Sequence, residues 1–333
     1  MLIVGPSWVG DMVMAQSLFI SLRRENPEVE IDVVAPDWWR PHLDPIPQVR
    51  ESIGLPVTHG ELHLATRWRV GRSLARKGYD RAIVLPKSIK SALVPFFARI
   101  PQRTGYRGEH RYGLINDMRP YDPLAGRPMV TWYLILGLPP SRPAPEEIPH
   151  PRIRIDERNR QRMVEELGLN LDRPVICCIP GAEYGPAKAW PLDSYGELTR
   201  RLALEGFQVW ILGSANEKEP GERIRAASGG AAANLCGRTR LEDAADLLSL
   251  ATIVVSNDTG LMHVAAAVGS RIVAIFGSSS PRYTPPLTKT ATVLYLDLDC
   301  SPCFERRCPF DHYRCLREIS VDSVFSAVLG ATA

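Results

Sequence analysis

Two runs of β-branched residues flank an alanine-rich segment near residue 260, and that arrangement leaves few folds open. Ile253 to Val255 reads as a buried strand, Ser256-Asn-Asp-Thr-Gly260 as a polar turn, the residues up to Gly269 as a short helix, and Arg271-Ile-Val-Ala-Ile-Phe-Gly277 as a second buried strand. Continuous apolar strands on both sides of a helix mark a parallel sheet covered on both faces. The turn then lies at the carboxyl end of a strand and the amino end of a helix, where open α/β sheets bind ligands. Unpaired N–H groups and the positive end of the helix dipole favour an anion there. Gly260 gives a phosphate close access to the backbone, Thr259 offers a hydroxyl, and His263 projects from the same end one turn on. The plain alternative is that Asp258 or Thr259 only caps the helix and His263 only fills a gap in the core.

The same alternation runs through the chain. Met1 to Gly5 reads as a strand, about Met12 to Glu25 as a helix ended by Pro27, and Ile31 to Ala35 as a strand. Pro36 to Pro56 is proline-rich and reads as irregular. Leu62 to Arg76 is a basic amphipathic helix stopped by Gly78, and Tyr79 to Leu85 a strand that leads into the loop 86–91 and a helix through Leu93 to Ala98. Pro139 to Pro151 is too rich in proline for helix or central strand and serves as a linker. Beyond it come helices over Asp156–Gly168, Asp193–Glu205, Lys218–Ser228 and Leu241–Leu250, with strands over Pro174–Ile179 and Phe207–Gly213 and near Ala233–Leu235. At 333 residues the chain exceeds what one hydrophobic core usually supports. The expectation is two doubly wound α/β domains, residues 1–150 and 151–333, with a cleft between them.

Composition narrows the class. With 45% hydrophobic and 23% charged residues the chain is an ordinary globular protein. No apolar run approaches the roughly 20 residues a membrane-spanning helix needs. The start is a strand with no secretory signal, and seven cysteines suit a reducing compartment, so a cytoplasmic location is expected. A net charge of +3 does not by itself imply nucleic acid. The basic residues bunch between Lys87 and Arg119 without an RRM, KH or helix-turn-helix signature, so nucleic acid is not expected as a partner. A dehydrogenase reading fails because Gly5 and Gly10 are too far apart for G-x-G-x-x-G.

Four segments carry a resemblance: Gly5-Pro-Ser-Trp-Val-Gly-Asp11, Val84 to Phe97, Pro180-Gly-Ala-Glu-Tyr-Gly-Pro-Ala-Lys188 with Trp190-Pro191, and Ser256-Asn-Asp-Thr-Gly-Leu-Met-His263. In this order the chain resembles the ADP-heptose:lipopolysaccharide heptosyltransferases of type II, a glycosyltransferase group with the GT-B fold of two facing Rossmann-like domains. The resemblance implies an inverting transfer of L-glycero-D-manno-heptose from ADP-heptose to the first heptose of the lipopolysaccharide inner core. The type I and type III enzymes, which use other inner-core acceptors, are rivals of the same class. A non-catalytic nucleotide-binding protein is the rival of another class.

The resemblance also assigns residues. Asp258, Thr259, Gly260, Leu261 and His263 are expected to contact the donor, Lys188 its diphosphate, and Glu217 its nucleoside. Asp11 matches the proposed base, against the alternative of a helix N-cap just before Met12. Leaving-group stabilisation falls to Lys188 and the N–H groups opening the helix at Gly260. No Asp-x-Asp dyad is present at these segments, and metal-free, cofactor-free catalysis is expected. The heptosyl-Kdo2-lipid A acceptor is anionic, and Lys87, Lys90, Arg103, Arg107 and Arg111 supply complementary charge, within a run that also holds Arg99 and Arg119. Some of these are expected to be plain surface. Peripheral attachment to the cytoplasmic face of the inner membrane is expected, with Trp38, Trp39 and Trp68 either at its interface or packed. Cys300, Cys303, Cys308 and Cys315, spaced C-x2-C-x4-C-x6-C, leave zinc, disulfides and free thiols open, whereas Cys177 and Cys178 read as buried core.

Overall fold

The computed structural model describes residues 1–39, 43, 46–57, 61–122 and 125–332. The chain divides into two compact units, Met1–Pro151 and Arg152–Ala333. In the first unit β1 (Leu2–Val4), β2 (Ile31–Pro36), β3 (Val49–Leu55), β4 (Arg81–Val84), β5 (Gln102–Tyr106) and β6 (Asp117–Arg119) form a parallel sheet in the order β3-β2-β1-β4-β5-β6. In the second unit β7 (Val175–Ile179), β8 (Gln208–Ile211), β9 (Ala232–Asn234), β10 (Ile253–Asn257), β11 (Arg271–Ile275) and β12 (Ala291–Leu294) form the other, in the order β12-β11-β10-β7-β8-β9.

Both orders are the doubly wound one. Each half lays three strands outward from its first strand, returns, and lays three the other way. The reversal puts a switch point between β1 and β4 and another between β7 and β10, and ligands collect beyond the carboxyl ends of such strands. All four segments singled out in the sequence follow these four strands. The central strands are the apolar runs. Leu2, Ile3, Ile176, Cys177, Cys178, Val254 and Val255 are fully buried, and burial pushes the Cys177 and Cys178 thiols up.

Local signals worked best where a cap or stop was present. Asp156 caps the helix Glu157–Leu167 by accepting from the Arg158 and Asn159 N–H groups at 3.0 and 3.2 Å, and Gly168 ends it at φ 64°. Two expectations are corrected, and one stretch with no expected element gains strands. The passage 36–56, part of which lies outside the described residues, contains β3. This edge strand is exposed at Arg50 and Glu51, so it shows no continuous apolar run. Arg50 holds it to its neighbour through Asp32 in β2, at 2.9 and 2.6 Å. The basic stretch beyond Phe97 likewise contains β5 and β6. The first helix runs Val9–Glu25, three residues earlier than expected, with Trp8 as its N-cap. Asp11 therefore sits inside the first turn rather than ahead of the helix.

Candidate active site

In the second unit the loops after β7 and β10 meet through one buried amide. Asn257, at the end of β10, accepts from the Trp190 backbone N–H at 3.1 Å and the Tyr195 hydroxyl at 3.2 Å, while its Nδ2 donates to the Pro180 carbonyl at 2.7 Å. This ties the loop 180–191 to the turn that opens the helix Gly260–Val268. Lys188 ends a short turn, Pro186–Lys188, in that loop. Its Nζ donates to Asp258 Oδ2 at 2.6 Å, with side-chain exposures of 17% and 5%. The Thr284 hydroxyl also donates to Asp258 Oδ2, at 3.3 Å.

Thr259 is the N-cap of the helix and makes no side-chain capping bond. It is partly exposed with Gly260 and Leu261, and the first N–H groups of a helix have no intrahelical acceptors. His263 is buried one turn on, and desolvation holds its pKa down at about 4, with Asp258 pulling up and Lys188 pushing further down. Among the described residues its Nδ1 has no hydrogen-bond partner, and the same holds for the buried hydroxyls of Ser278 and Ser279 in the loop after β11. Orphaned buried polar atoms are rare in folded proteins and are often waiting for water or a ligand. A neutral imidazole, two hydroxyls, a lysine and a helix amino terminus make up a donor set suited to oxyanions.

Glu217 is also built in. Its carboxylate accepts the Ser214 N–H in a capping box and lies over the backbone after β7 and β8. A Cβ on Gly181 would meet Glu217 Oε1 at 2.2 Å, and one on Gly213 would meet Oε2 at 2.9 Å. Both glycines are needed so that this acid can rest against the chain.

Sequence reasoning missed the brace beneath Lys188. The Tyr184 hydroxyl donates to the Phe304 carbonyl at 2.8 Å, Ala187 N–H to the Arg306 carbonyl at 3.2 Å, and Phe304 N–H to the Ser278 carbonyl at 2.7 Å. Lys188 and Arg306 each sit 5.1 Å from the Tyr184 ring centre. The cysteine segment thus supports the lysine loop. Its four cysteines are free thiols, and among the described residues no group of three or more His, Cys, Asp or Glu side chains could hold a metal ion. Burial, aided by Cys300, Cys303 and Cys308, raises the Cys315 thiol to about 11.

In the first unit Asp11 stands in the helix that follows β1, partly exposed. The loop after β4 carries Lys87, exposed with Nζ 3.7 Å from the Tyr121 ring centre, and Lys90. Arg107 is exposed at the end of β5. Two of the expected acceptor arginines have other work. Arg111 is 1% exposed and donates to the carbonyls of Pro86 at 2.7 Å and Tyr106 at 2.7 Å, and burial drops its pKa to about 10. Arg103 donates to the carbonyls of Leu114 and Ile100 at 2.7 and 2.5 Å. Arg111 is held inside by main-chain oxygens of the loop after β4 and of β5, whereas Arg103 is half-buried and ties together the main chain at Ile100 and Leu114. Arg119 is likewise buried, bonded to Asp117 at 2.8 Å.

Comparison with known proteins adds to this geometry. Residues 67–314 match glycosyltransferase family 9 (heptosyltransferase). The chain is 46% identical over 304 residues to lipopolysaccharide heptosyltransferase 2 of Salmonella typhimurium, covering 89% of this chain and 87% of that protein. It is 43% identical to lipooligosaccharide heptosyltransferase 2 of Haemophilus influenzae, covering 89% and 88%. Among solved structures, Escherichia coli ADP-heptose lipopolysaccharide heptosyltransferase II superposes with a TM-score of 0.88 at 40% identity, covering 99% of this chain and 98% of the other.

Proposed function

This chain belongs to glycosyltransferase family 9, the heptosyltransferases, and on that premise we propose how its two strand-end sites divide the reaction. It is a glycosyltransferase of GT-B-like fold that transfers heptose in the lipopolysaccharide core, the activity of heptosyltransferase II. In our reading the donor is ADP-heptose and the acceptor is the first heptose of heptosyl-Kdo2-lipid A, taken by a cytoplasmic protein that attaches peripherally to the inner membrane.

The observation that carries the donor assignment is the polar set at the β7/β10 switch point. Lys188, Thr259 and the N–H groups of Gly260 and Leu261 stabilise the diphosphate as negative charge builds on it. Such fixed donors need no reorganisation at the moment of reaction. His263 is neutral at pH 7, so it serves as a hydrogen-bonding group and not as a cation. Asp258 holds the lysine in place, and Glu217 meets the nucleoside. In the first unit Asp11 takes the proton of the attacking hydroxyl in a single displacement that inverts the anomeric carbon. A well-placed carboxylate base contributes ~10²–10⁴-fold. Lys87, Lys90 and Arg107 meet the anionic acceptor, with Arg111 fixing the loop that carries the two lysines.

The test supplies ADP-heptose and acceptors carrying zero, one or two heptoses and follows product mass. Transfer is expected with the one-heptose acceptor. Asp11→Ala should abolish transfer while calorimetry shows ADP-heptose binding within a few-fold. Retained turnover would remove Asp11 from the mechanism.

A further inference from the structure

The helix Leu64–Leu74 has a face that neither the core nor the strand-end loops use. Its inner side is closely packed. Arg67, Gly71 and Leu74 are buried, and a Cβ on Gly71 would meet Phe97 Cβ at 2.5 Å and the Val94 carbonyl at 2.8 Å. The outer side carries Leu64, Trp68 and Arg72 at four-residue spacing, with Arg76 following in the next turn and Arg69 beside them. Leu64 is 50% exposed and Trp68 51%, and Phe96 from the neighbouring helix Leu93–Phe97 is 42% exposed.

The charge on this face is one-sided. Arg72, Arg76 and Arg99 line one open hollow with Tyr79, Asp80 and Pro101. Among the described residues the side chains of Arg69, Arg72, Arg76 and Arg99 make no ion pair. Of the nearby acids, Glu51 pairs with Lys77 and Glu61 with His63, which leaves three arginines facing the single carboxylate of Asp80, itself 3.8 Å from the Met1 ammonium. A stripe of Leu and Trp continuing into unneutralised arginines needs a partner that offers apolar depth and negative charge together. A nucleic acid has no use for the leucine, and the charge on a second copy of this face would repel.

The face also adjoins the acceptor loop. Arg67 donates to the Leu62 carbonyl at 2.6 Å and to the Lys90 carbonyl at 3.2 Å, so the apolar amino end of the helix is tied to the loop after β4. We propose that the outer face of the helix Leu64–Leu74, with Phe96 and Arg99, lies on an anionic lipid bilayer and presents the Lys87–Lys90 loop to an acceptor anchored in that bilayer. This rests on the peripheral attachment proposed above and assigns it a surface. Tryptophan and leucine enter the interface, and arginines keep their stems low and their heads among phosphates.

The experiment measures co-sedimentation of the full chain with vesicles of phosphatidylcholine alone and with about one third phosphatidylglycerol. Binding is expected only to the anionic vesicles, and 0.5 M NaCl should reverse it as screening shortens to a few ångströms, toward the ~3 Å reached at 1 M. Each arginine near such a surface is worth about five-fold, so the triple variant R69Q/R72Q/R76Q should bind on the order of 100-fold more weakly. Trp68→Ala should also weaken binding. Both variants should transfer heptose to a delipidated, water-soluble acceptor at the native rate. Native protein that transfers to the soluble acceptor yet ignores anionic vesicles, or binds neutral ones equally, overturns the surface and leaves the enzymatic reading intact. Loss of soluble-acceptor activity in the variants overturns it too, because the face would then belong to the acceptor site. Dimerisation through this face, seen by light scattering and abolished in the variants, is the third overturning result.

Discussion

Replacing Lys188 with methionine separates its hold on Asp258 from its proposed contact with the diphosphate. The substitution keeps the side chain's length and removes its charge. Asp258, 5% exposed, is then left with the Thr284 hydroxyl at 3.3 Å. Breaking a buried ion pair costs about 3–5 kcal/mol. Lys188 retains some solvent contact and one hydrogen bond to Asp258 survives, so we expect about 2–3 kcal/mol of lost stability in urea unfolding. Losing a charge-assisted contact to the diphosphate costs a further ~1.5–3 kcal/mol of binding, roughly 10–100-fold in the Kd for ADP. The double variant K188M/D258N decides between hold and contact. It removes the buried charge together with its partner, so stability should return to within about 1 kcal/mol of native, while ADP binding stays weak in calorimetry. Asp258→Asn alone should bind ADP at least as well as native, since the lysine is released toward the ligand. A double variant that binds ADP within about two-fold of native would refute the reasoning, and Lys188 would be a counter-ion to Asp258 only.

Two further outcomes follow from buried groups. The folded pKa of His263 is lowered from 6.5 to about 4, so its contribution to stability is full above about pH 6.5 and drains away as pH falls toward 4, at ~1.4 kcal/mol per unit. Urea midpoints at pH 7, 5 and 4 should show this slope, partly opposed near the bottom by Asp246, whose carboxyl burial lifts. His263→Gln should flatten it, and an unchanged slope would show that another group carries it. Arg111→Met strands the Pro86 and Tyr106 carbonyls. It should cost about 3 kcal/mol in unfolding and raise KM for the acceptor, with ADP affinity unchanged.

The residues themselves determined the α/β class, the doubly wound alternation and the turn at Ser256–Gly260. The reason is that a two-sided buried strand must be a continuous apolar run, and a strand-turn-helix step must expose N–H groups at one end. Met1 to Gly5, Pro174 to Ile179 and Ile253 to Val255 carry that information in their own composition. Asp156 and Gly168 announce a helix by local chemistry alone. What tertiary structure decided is everything that depends on who the neighbour is. Val49–Leu55 becomes a strand because Arg50 finds Asp32 on β2, and nothing within the segment itself says so. Arg103 and Arg111 look like surface cations in sequence, because arginine usually is one. Folding surrounds them with main-chain carbonyls from segments up to 25 residues away, and a guanidinium with five fixed donors can satisfy several at once. The brace from Phe304 and Arg306 to Tyr184 and Ala187, and the orphaned hydroxyls of Ser278 and Ser279, arise in the same way. Hydrogen-bond complementarity between distant segments is a property of the packed chain, with no periodicity or spacing to betray it beforehand.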